Sequence, residues 1–361
     1  MDISIKTTPQ KVSNIDEELE QLVNLQRAKI KVVGCGGAGG NTINRISEVG
    51  IMGAETIAIN TDAQDLLYVN SNHKILIGKE LTRGLGAGSL PQVGEEAARE
   101  SEHDIKQKLE GADMVFITCG LGGGTGTGSA PIVADIAKKM GILTVAIVTM
   151  PFAMEGQRRY ENAVIGLEKL ENTVDTLIVI PNDKLLELAP DLPLHTAFKV
   201  ADEILTNAVK GIAELVTRPG LVNLDFADIR TVMGKGGVAV IGVGESDTEN
   251  RAIEAVEKAI QNPLLDVDVN GAEGALINIT GGPDMTLEEA RKVVETVSER
   301  LDEDARIIWG AQISEDMDKT LRALLIVTGV SSPQIFGPKR MQLSNKKKRE
   351  IENELGIEFI D

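Results

Sequence analysis

Residues 120–130 read GLGGGTGTGSA, and five glycines and two threonines fill the seven positions from Gly122 to Gly128. The segment directly follows the apolar run MVFITC at 114–119. Glycine lets backbone N–H groups approach a ligand closely, and the threonines add hydroxyl donors. We expect a helix that begins at Ser129, with Pro131 in its first turn, to point its positive end at the same place. The segment therefore predicts a cradle for a polyphosphate.

Two further glycine-rich loops follow apolar runs of strand length. GCGGAGGN spans Gly34–Asn41, and RGLGAGSLP contains Gly84–Gly88. Alone, the first loop fits either a tight turn or the GxGxxG pattern of dinucleotide-binding proteins, with Asp62 near the position of a ribose-binding acid. Three such loops are more than a dinucleotide enzyme needs. Because the chain has no GxxxxGK[ST] motif, we expect backbone N–H groups, helix dipoles and Mg²⁺ to neutralise the phosphates.

Composition restricts the class of protein. A length of 361 residues predicts two domains plus tails, and a net charge of −18 argues against nonspecific binding of nucleic acid. Cys35, Cys119 and three scattered histidines lack metal-ligand spacing, so we predict no metal site made of side chains. The start of the chain has no secretory signal, and the longest apolar stretch, at 143–148, is too short for a bilayer. These features predict a cytoplasmic protein without direct membrane insertion.

The order of apolar runs predicts the fold class. Short β-branched runs alternate with helical patterns from residue 29, which indicates a parallel sheet wound with helices. The longest helical pattern covers 197–217 and is stopped by the sequence RPG. Further strands and helices follow. We therefore predict an α/β protein whose parallel-sheet domain is joined by a long central helix to a smaller α/β domain.

At this point the chain resembles the tubulin/FtsZ superfamily of GTPases, whose signature is GGGTGTG. Its FtsZ members are matched further by GCGGAGGN, PFAMEGQRR (151–159), IPND (180–183), TRPGLVNLDFADIRTVM (217–233) and IIWGAQI (307–313). The resemblance covers about residues 29–335 and implies a filament-forming GTPase that acts as a division-ring scaffold. The predicted segments are an N-terminal extension with an amphipathic helix (1–28), the GTP-binding domain of Rossmann-like type (29–196), the central helix (197–219), the C-terminal α/β domain (220–334) and a flexible tail (335–361).

The resemblance also implies roles for individual residues in binding GTP or GDP. Those that would line the phosphates and sugar are Gly36, Gly37, Ala38, Gly39, Gly40 and Asn41. Those that would hold the β- and γ-phosphates are Gly124, Thr125, Gly126 and Thr127, and Gly86, Ala87, Gly88, Gly123 and Gly128 would complete the cradle. Glu155 and Arg159 would contact the ribose and α-phosphate region, Asn182 and Asp202 would read the guanine edge, and Phe198 would stack on its face. From the residues alone, simpler structural explanations are favoured: a surface ion pair for Glu155–Arg159, an Asx turn for Asn182 and core packing for Phe198. The resemblance shifts the preference to the functional roles.

A second polar group, Asn223, Asp225 and Asp228, follows the long helix. Helix N-capping is a sufficient explanation for these residues from the local pattern. A helix of about 20 residues, roughly 30 Å long, separates them from the cradle. The resemblance implies that they act on the GTP of the next subunit in a head-to-tail homopolymer, where Mg²⁺ and the cradle stabilise the transferring charge. Such a contact does not close on itself and gives an open filament, whose disassembly hydrolysis would drive.

The tail departs from the usual bacterial FtsZ ending. Its last residues, LGIEFID, resemble the acidic and apolar terminal motif of archaeal members, which implies a membrane-anchoring partner of the SepF type. A solvated, frayed end is the alternative.

Two other functions stay open from the sequence. The first is a dinucleotide oxidoreductase, which leaves GGGTGTG and NLDFAD unexplained. The second is a scaffold that binds GTP but barely hydrolyses it, and the presence of both aspartates counts against this function.

Overall fold

A computed structural model describes residues 28–188, 194–217, 222, 225–234, 236–262, 264, 272–301 and 305–330. Three predictions lie outside these residues: the amphipathic helix of the N-terminal extension, the role of Asn223, and the partner-binding motif of the tail.

The strands of the described residues form one ten-stranded sheet in the order β3-β2-β1-β4-β5-β6-β7-β10-β8-β9. Their bounds are β1 Ile30–Cys35, β2 Ala54–Asn60, β3 His73–Leu76, β4 Met114–Gly120, β5 Leu143–Met150, β6 Thr176–Pro181, β7 Gly237–Ser246, β8 Gly274–Gly281, β9 Arg306–Ile313 and β10 Leu321–Thr328. β1 to β6 are all parallel, as the apolar runs predicted. Every residue of β5 is buried, because helices cover both faces of the sheet.

The helices alternate with the strands in the first half of the chain. Their bounds are α1 Gly36–Val49, α2 Ala63–Tyr68, α3 Lys79–Thr82, α4 Pro91–Glu100, α5 Glu102–Leu109, α6 Thr125–Lys139, α7 Gln157–Glu171, α8 Asn182–Leu188, α9 Leu194–Thr217, α10 Phe226–Met233, α11 Arg251–Ile260 and α12 Leu287–Ser298. The 24 residues of α9 span about 36 Å at 1.5 Å per residue. This helix matches the predicted central helix, and no helix of the described residues has the length and apolar character needed to cross a membrane.

The two halves of the chain join within the sheet. β6 pairs with β7 in parallel through three residue pairs, from Thr176–Gly237 to Ile178–Ala239. Beyond this point the pattern changes, since β10 runs antiparallel to both β7 and β8. The architecture is the predicted α/β fold with a mostly parallel sheet, and the exact segment boundaries stay predictions.

The start of α6 differs from the sequence prediction. The helix begins at Thr125, not at Ser129, so Pro131 lies inside it and not in its first turn. These glycines permit close packing against a neighbouring helix, since a Cβ on Gly128 would overlap the backbone oxygen of Pro91 in α4. Glycine is normally unfavourable inside a helix, but here it permits two helices to approach more closely than any side chain would allow.

A candidate nucleotide site at the carboxyl ends of the strands

The loops that follow β1 and β4 touch each other. Gly36 has a φ of +71°, and a Cβ there would lie 2.8 Å from the backbone nitrogen of Gly126. Conversely, a Cβ on Gly126 would lie 2.9 Å from the carbonyl oxygen of Cys35. Both glycines are therefore required by a backbone-to-backbone contact. This contact brings the first two predicted loops together.

The third glycine loop closes over the same place. A Cβ on Gly124 would lie 2.9 Å from the Ala87 Cβ and 2.8 Å from the Leu90 nitrogen. Left-handed backbone recurs along this loop, at Gly86 and Gly88 and also at Ser89, which has a φ of +59°. A side chain in this conformation is uncommon and indicates that the surrounding structure holds the loop in place.

The predicted cradle residues separate into two groups. Gly37, Ala38 and Asn41 are exposed at the start of α1, whereas Gly39 and Gly40 are buried. Gly39 is a packing glycine, since a Cβ there would lie 2.7 Å from the Thr118 oxygen of β4. By contrast, nothing lies within 4 Å of the Cβ position of Gly123, which borders open space. The exposed members together with Gly123 form the part of the cradle that a ligand can reach.

The two threonines of the cradle have different partners. The Thr125 hydroxyl lies 2.6 Å from that of Thr61, at the end of β2. The Thr127 hydroxyl is buried and accepts the Gly122 N–H at 2.9 Å, so in this structure it stabilises the loop itself. Thr125 is thus the better placed of the two to face a ligand.

Several residues that hold the loops in place were not predicted from the sequence. Asn60 donates to Asp65 Oδ2 at 2.7 Å, and this oxygen lies 3.3 Å from the Cβ position of Gly37. Asn162 of α7 donates to the carbonyl oxygens of Ser89 and Gly122 at 3.3 and 3.4 Å, and so links two of the loops. The segment INTDA at 59–63 follows β2 as the glycine loops follow their strands, and this position was the available signal. Nothing in the sequence marked Asn162.

Asp62 does not act as the ribose-binding acid of a dinucleotide site would. Its Oδ1 accepts the backbone N–H groups of Gln64 and Asp65 at 2.9 and 3.1 Å and caps α2. The structure therefore gives the dinucleotide alternative no support at this position.

Next to the cradle lies a second group of predicted residues. Phe198, which is 40% exposed, contacts the buried Phe152 edge-to-face, with 5.1 Å between ring centroids. Glu155 accepts the Phe152 N–H at 2.9 Å and pairs with Arg159 at 3.1 Å. The predicted surface ion pair is thus present, and its half-exposed arginine extends from the helix that borders Gly122.

Asn182 and Asp202 each carry a buried polar group that the described residues do not fully stabilise. Asn182 is buried at the start of α8, and its Oδ1 has no hydrogen-bond partner among the described residues. Asp202 lies one helical turn after Phe198 and accepts from the Thr42 hydroxyl at 3.4 Å. Burial raises the pKa of the Asp202 carboxyl to about 6, against a smaller opposing effect of Thr42. Polar groups of this kind are expected where a polar ligand completes the site.

Asp225 and Asp228 lie at the opposite edge of the sheet. Asp225 caps α10 by accepting the Ala227 N–H, and both carboxylates are exposed. At the other end of α10, the Met233 oxygen accepts from Thr176, the first residue of β6. β1 to β6 are parallel, so their amino ends and the glycine loops lie at opposite ends of these strands. The N-cap alternative is therefore present in the structure, and these two acids cannot reach the cradle of their own subunit.

In the described part of the chain, His, Cys, Asp and Glu side chains do not gather in groups of three or more that could hold a metal ion. The cradle itself provides backbone N–H groups at the N-terminus of α6 and the paired hydroxyls of Thr61 and Thr125. Such donors suit phosphate oxygens better than a metal ion. A cation at this site would therefore be held mainly by the phosphates.

Comparison with known proteins agrees with this architecture. The GTPase-domain profile of the Tubulin/FtsZ family matches residues 29–190, and the C-terminal-domain profile of the FtsZ family matches residues 237–331. Cell division protein FtsZ 1 of Thermococcus kodakarensis is 66% identical over 321 residues, which cover 89% of this chain and 86% of that protein. Cell division protein FtsZ of Methanothermobacter thermautotrophicus is 57% identical over 355 residues, with coverage of 97% and 93%.

A solved structure of a relative has the same fold. The empty FtsZ dimer of M. jannaschii superposes with a TM-score of 0.85 at 62% identity, covering 88% of this chain and 92% of that one.

Proposed function

The chain belongs to the tubulin/FtsZ family, as a GTPase of the FtsZ branch of cell-division proteins, and from this premise we propose that its active site is shared between subunits stacked head to tail. One subunit supplies the nucleotide cradle, and the next supplies Asp225 and Asp228. The observation that carries this proposal is the position of the exposed acids at the edge of the sheet opposite to the cradle.

The phosphates of GTP would lie against the glycine loops. Their charge would be met by backbone N–H groups, by the positive end of the 15-residue helix α6 and by the Thr125 hydroxyl. When bound at the cradle beside Thr125, Mg²⁺ would supply positive charge that offsets the charge developing on the phosphates. The chain's contribution would be to hold the phosphates in position, since the loops that form the cradle pack closely against each other.

The guanine base would lie between Phe198 and the polar groups of α8 and α9. An ionised Asp202 can accept two hydrogen bonds from the N1–H and N2–H₂ groups of guanine, a pair that adenine lacks. The buried Oδ1 of Asn182, which has no hydrogen-bond partner among the described residues, would accept from a further donor of the base. Because ionised Asp202 is disfavoured by burial without ligand, bound guanine would relieve that cost.

Hydrolysis would take place across the subunit contact. Asp225 and Asp228 carry exposed carboxylates that can orient a water molecule toward the γ-phosphate of the adjoining subunit. Loss of the γ-phosphate would weaken the contact that both subunits share, so turnover would time disassembly. A heterologous contact of this type propagates as an open filament. We further propose that these filaments form in the cytoplasm at the division ring and are linked to the membrane by a SepF-like partner that binds the tail.

Mixing two inactive variants tests the shared site. Asp228→Ala retains the cradle but lacks an acid, whereas Gly126→Val retains both acids but lacks a functional cradle. Each variant alone should show almost no GTPase activity. The equimolar mixture should recover activity, because the acids of the cradle-defective subunits face GTP on their partners. Circular dichroism and co-sedimentation of the mixture serve as controls for folding and association. If the two variants co-assemble and stay inactive, the acids do not act in the way we propose.

A further inference from the structure

The two cysteines of the chain lie side by side beneath the nucleotide cradle. β1 and β4 are in parallel register up to the pair Gly34–Thr118, and the next residues in the two strands are Cys35 and Cys119. Both side chains are buried in the hydrophobic cluster on the same face of the sheet. Neighbouring strands are about 4.8 Å apart, which lies within the Cα separation that a disulfide can bridge.

The cysteines also contact the glycine that joins the two loops. The Cβ position of Gly126 lies 2.9 Å from the Cys35 oxygen and 3.2 Å from the Cys119 Cβ. Movement of either strand end is therefore transmitted to the backbone of the cradle. Disulfide formation would require such a movement, because the two Cβ atoms must approach to about 3.8 Å.

In this structure the two thiols are protected by burial. Burial raises the pKa of the Cys35 thiol to about 12, and burial together with the nearby Cys35 raises the pKa of Cys119 well above its usual value. The thiolate is the species that reacts with an oxidant, so reaction must proceed through opening of the cradle above the pair. A bound nucleotide holds the glycine loops closed and should oppose this opening.

We propose that Cys35 and Cys119 form a redox-sensitive dithiol that becomes an intramolecular disulfide when the cradle is empty, and that the disulfide lowers affinity for the nucleotide. A thiol oxidant of the diazene class accepts the two electrons and two protons that the thiols lose. One thiolate adds to the N=N bond, the second thiolate attacks the resulting sulfur–nitrogen adduct, and the S–S bond forms as the reduced hydrazine leaves with both thiol protons. The proposal rests on the proposed nucleotide site. By linkage, the factor by which nucleotide binding disfavours the disulfide equals the factor by which the disulfide weakens binding.

The test uses the full chain with its nucleotide removed. Protein with and without saturating GDP is treated with diamide, quenched with acid and alkylated under denaturing conditions. Intact mass then distinguishes the disulfide, which takes up no alkyl groups, from the dithiol, which takes up two. We expect nucleotide-free protein to oxidise at least about tenfold faster than GDP-bound protein, and the oxidised form to bind GDP at least about tenfold more weakly until dithiothreitol restores it. Cys119→Ala is the control, because alanine fills this apolar site without burying a new hydroxyl. It should bind GDP normally before and after diamide.

Three outcomes would overturn the inference. The first is equal oxidation rates with and without GDP, and the second is a disulfide between two chains in place of one within the chain. The third is absence of a disulfide in folded, nucleotide-free protein while the denatured chain oxidises readily. GDP binding by the reduced protein is measured in the same series. If it were absent, the nucleotide site itself would be wrong, and this failure is therefore separate from failure of the redox inference.

Discussion

Replacement of Asp202 by asparagine should stabilise the nucleotide-free protein and lower its affinity for GTP. Burial raises the pKa of Asp202 from 3.8 to about 6, so the ionised form is disfavoured in the folded chain. At 1.36 kcal/mol per pKa unit, the carboxyl costs roughly 3 kcal/mol of folding free energy at neutral pH. The sign follows from the raised pKa: the stability of the wild-type protein falls as pH rises from about 4 to 6 and is then constant. Asp202→Asn removes this loss.

The same carboxyl should make GTP binding depend on pH. With a pKa of about 6, roughly nine-tenths of Asp202 is ionised at pH 7 and roughly one-tenth at pH 5. If guanine binds the ionised form, affinity should fall about tenfold across this interval. At pH 7, Asp202→Asn should bind GTP about 10- to 160-fold more weakly than wild type, since a charge-assisted hydrogen bond contributes roughly 1.5–3 kcal/mol.

Isothermal titration calorimetry at pH 5, 6 and 7 measures these affinities, and urea unfolding of nucleotide-free protein measures the stability. The phosphates of GTP also titrate in this range, but they do so equally for both proteins. The ratio of wild-type to Asp202→Asn affinity therefore isolates the carboxyl. A ratio that is constant from pH 5 to 7 would refute the assignment of Asp202 to the guanine edge.

Three further variants test other parts of the molecule. Gly126→Val should abolish tight GTP binding and lower the thermal unfolding midpoint, because its side chain would overlap a carbonyl of β1. Gly123→Ala, whose Cβ has open space, is the control and should leave the midpoint unchanged. Equal lowering of the midpoint in both variants, measured by scanning calorimetry, would contradict the packing argument. Asp228→Ala should keep GTP affinity but lose most turnover and give longer-lived filaments by light scattering, whereas normal turnover would remove its proposed role. Arg251→Met should lower the urea-unfolding free energy by about 1.5–3 kcal/mol, because the charge-assisted hydrogen bonds from its buried guanidinium to the partly exposed Glu289, at 2.6 Å, are lost. An unchanged unfolding free energy would show that this ion pair contributes nothing.

The strands could be predicted well from the sequence. Runs such as LTVAIVTM at 143–150 and TLIVIP at 176–181 are continuous apolar segments, and they match β5 and β6 residue for residue. Their pattern is unambiguous because both faces of the strands are buried, so apolar side chains occupy most positions and the rest are buried threonines and a proline. The convergence of the glycine loops followed from the same reasoning, since carboxyl ends of parallel strands share one edge.

The supporting residues could not be predicted, because their roles depend on contacts between distant parts of the chain. Asn162 bridges two loops from a helix 40 residues beyond Gly122, and no local pattern distinguishes it from a surface asparagine. The start of α6 was wrong for a related reason. Glycines normally end helices, but tight packing against α4 makes them necessary within this one.

The specific GTPase rate, measured against protein concentration, tests the shared active site most directly. If the active site is shared, the rate per subunit is near zero at dilutions where chains do not meet and rises steeply once they associate. A rate per subunit that stays constant down to isolated monomers would show that each chain cleaves GTP on its own.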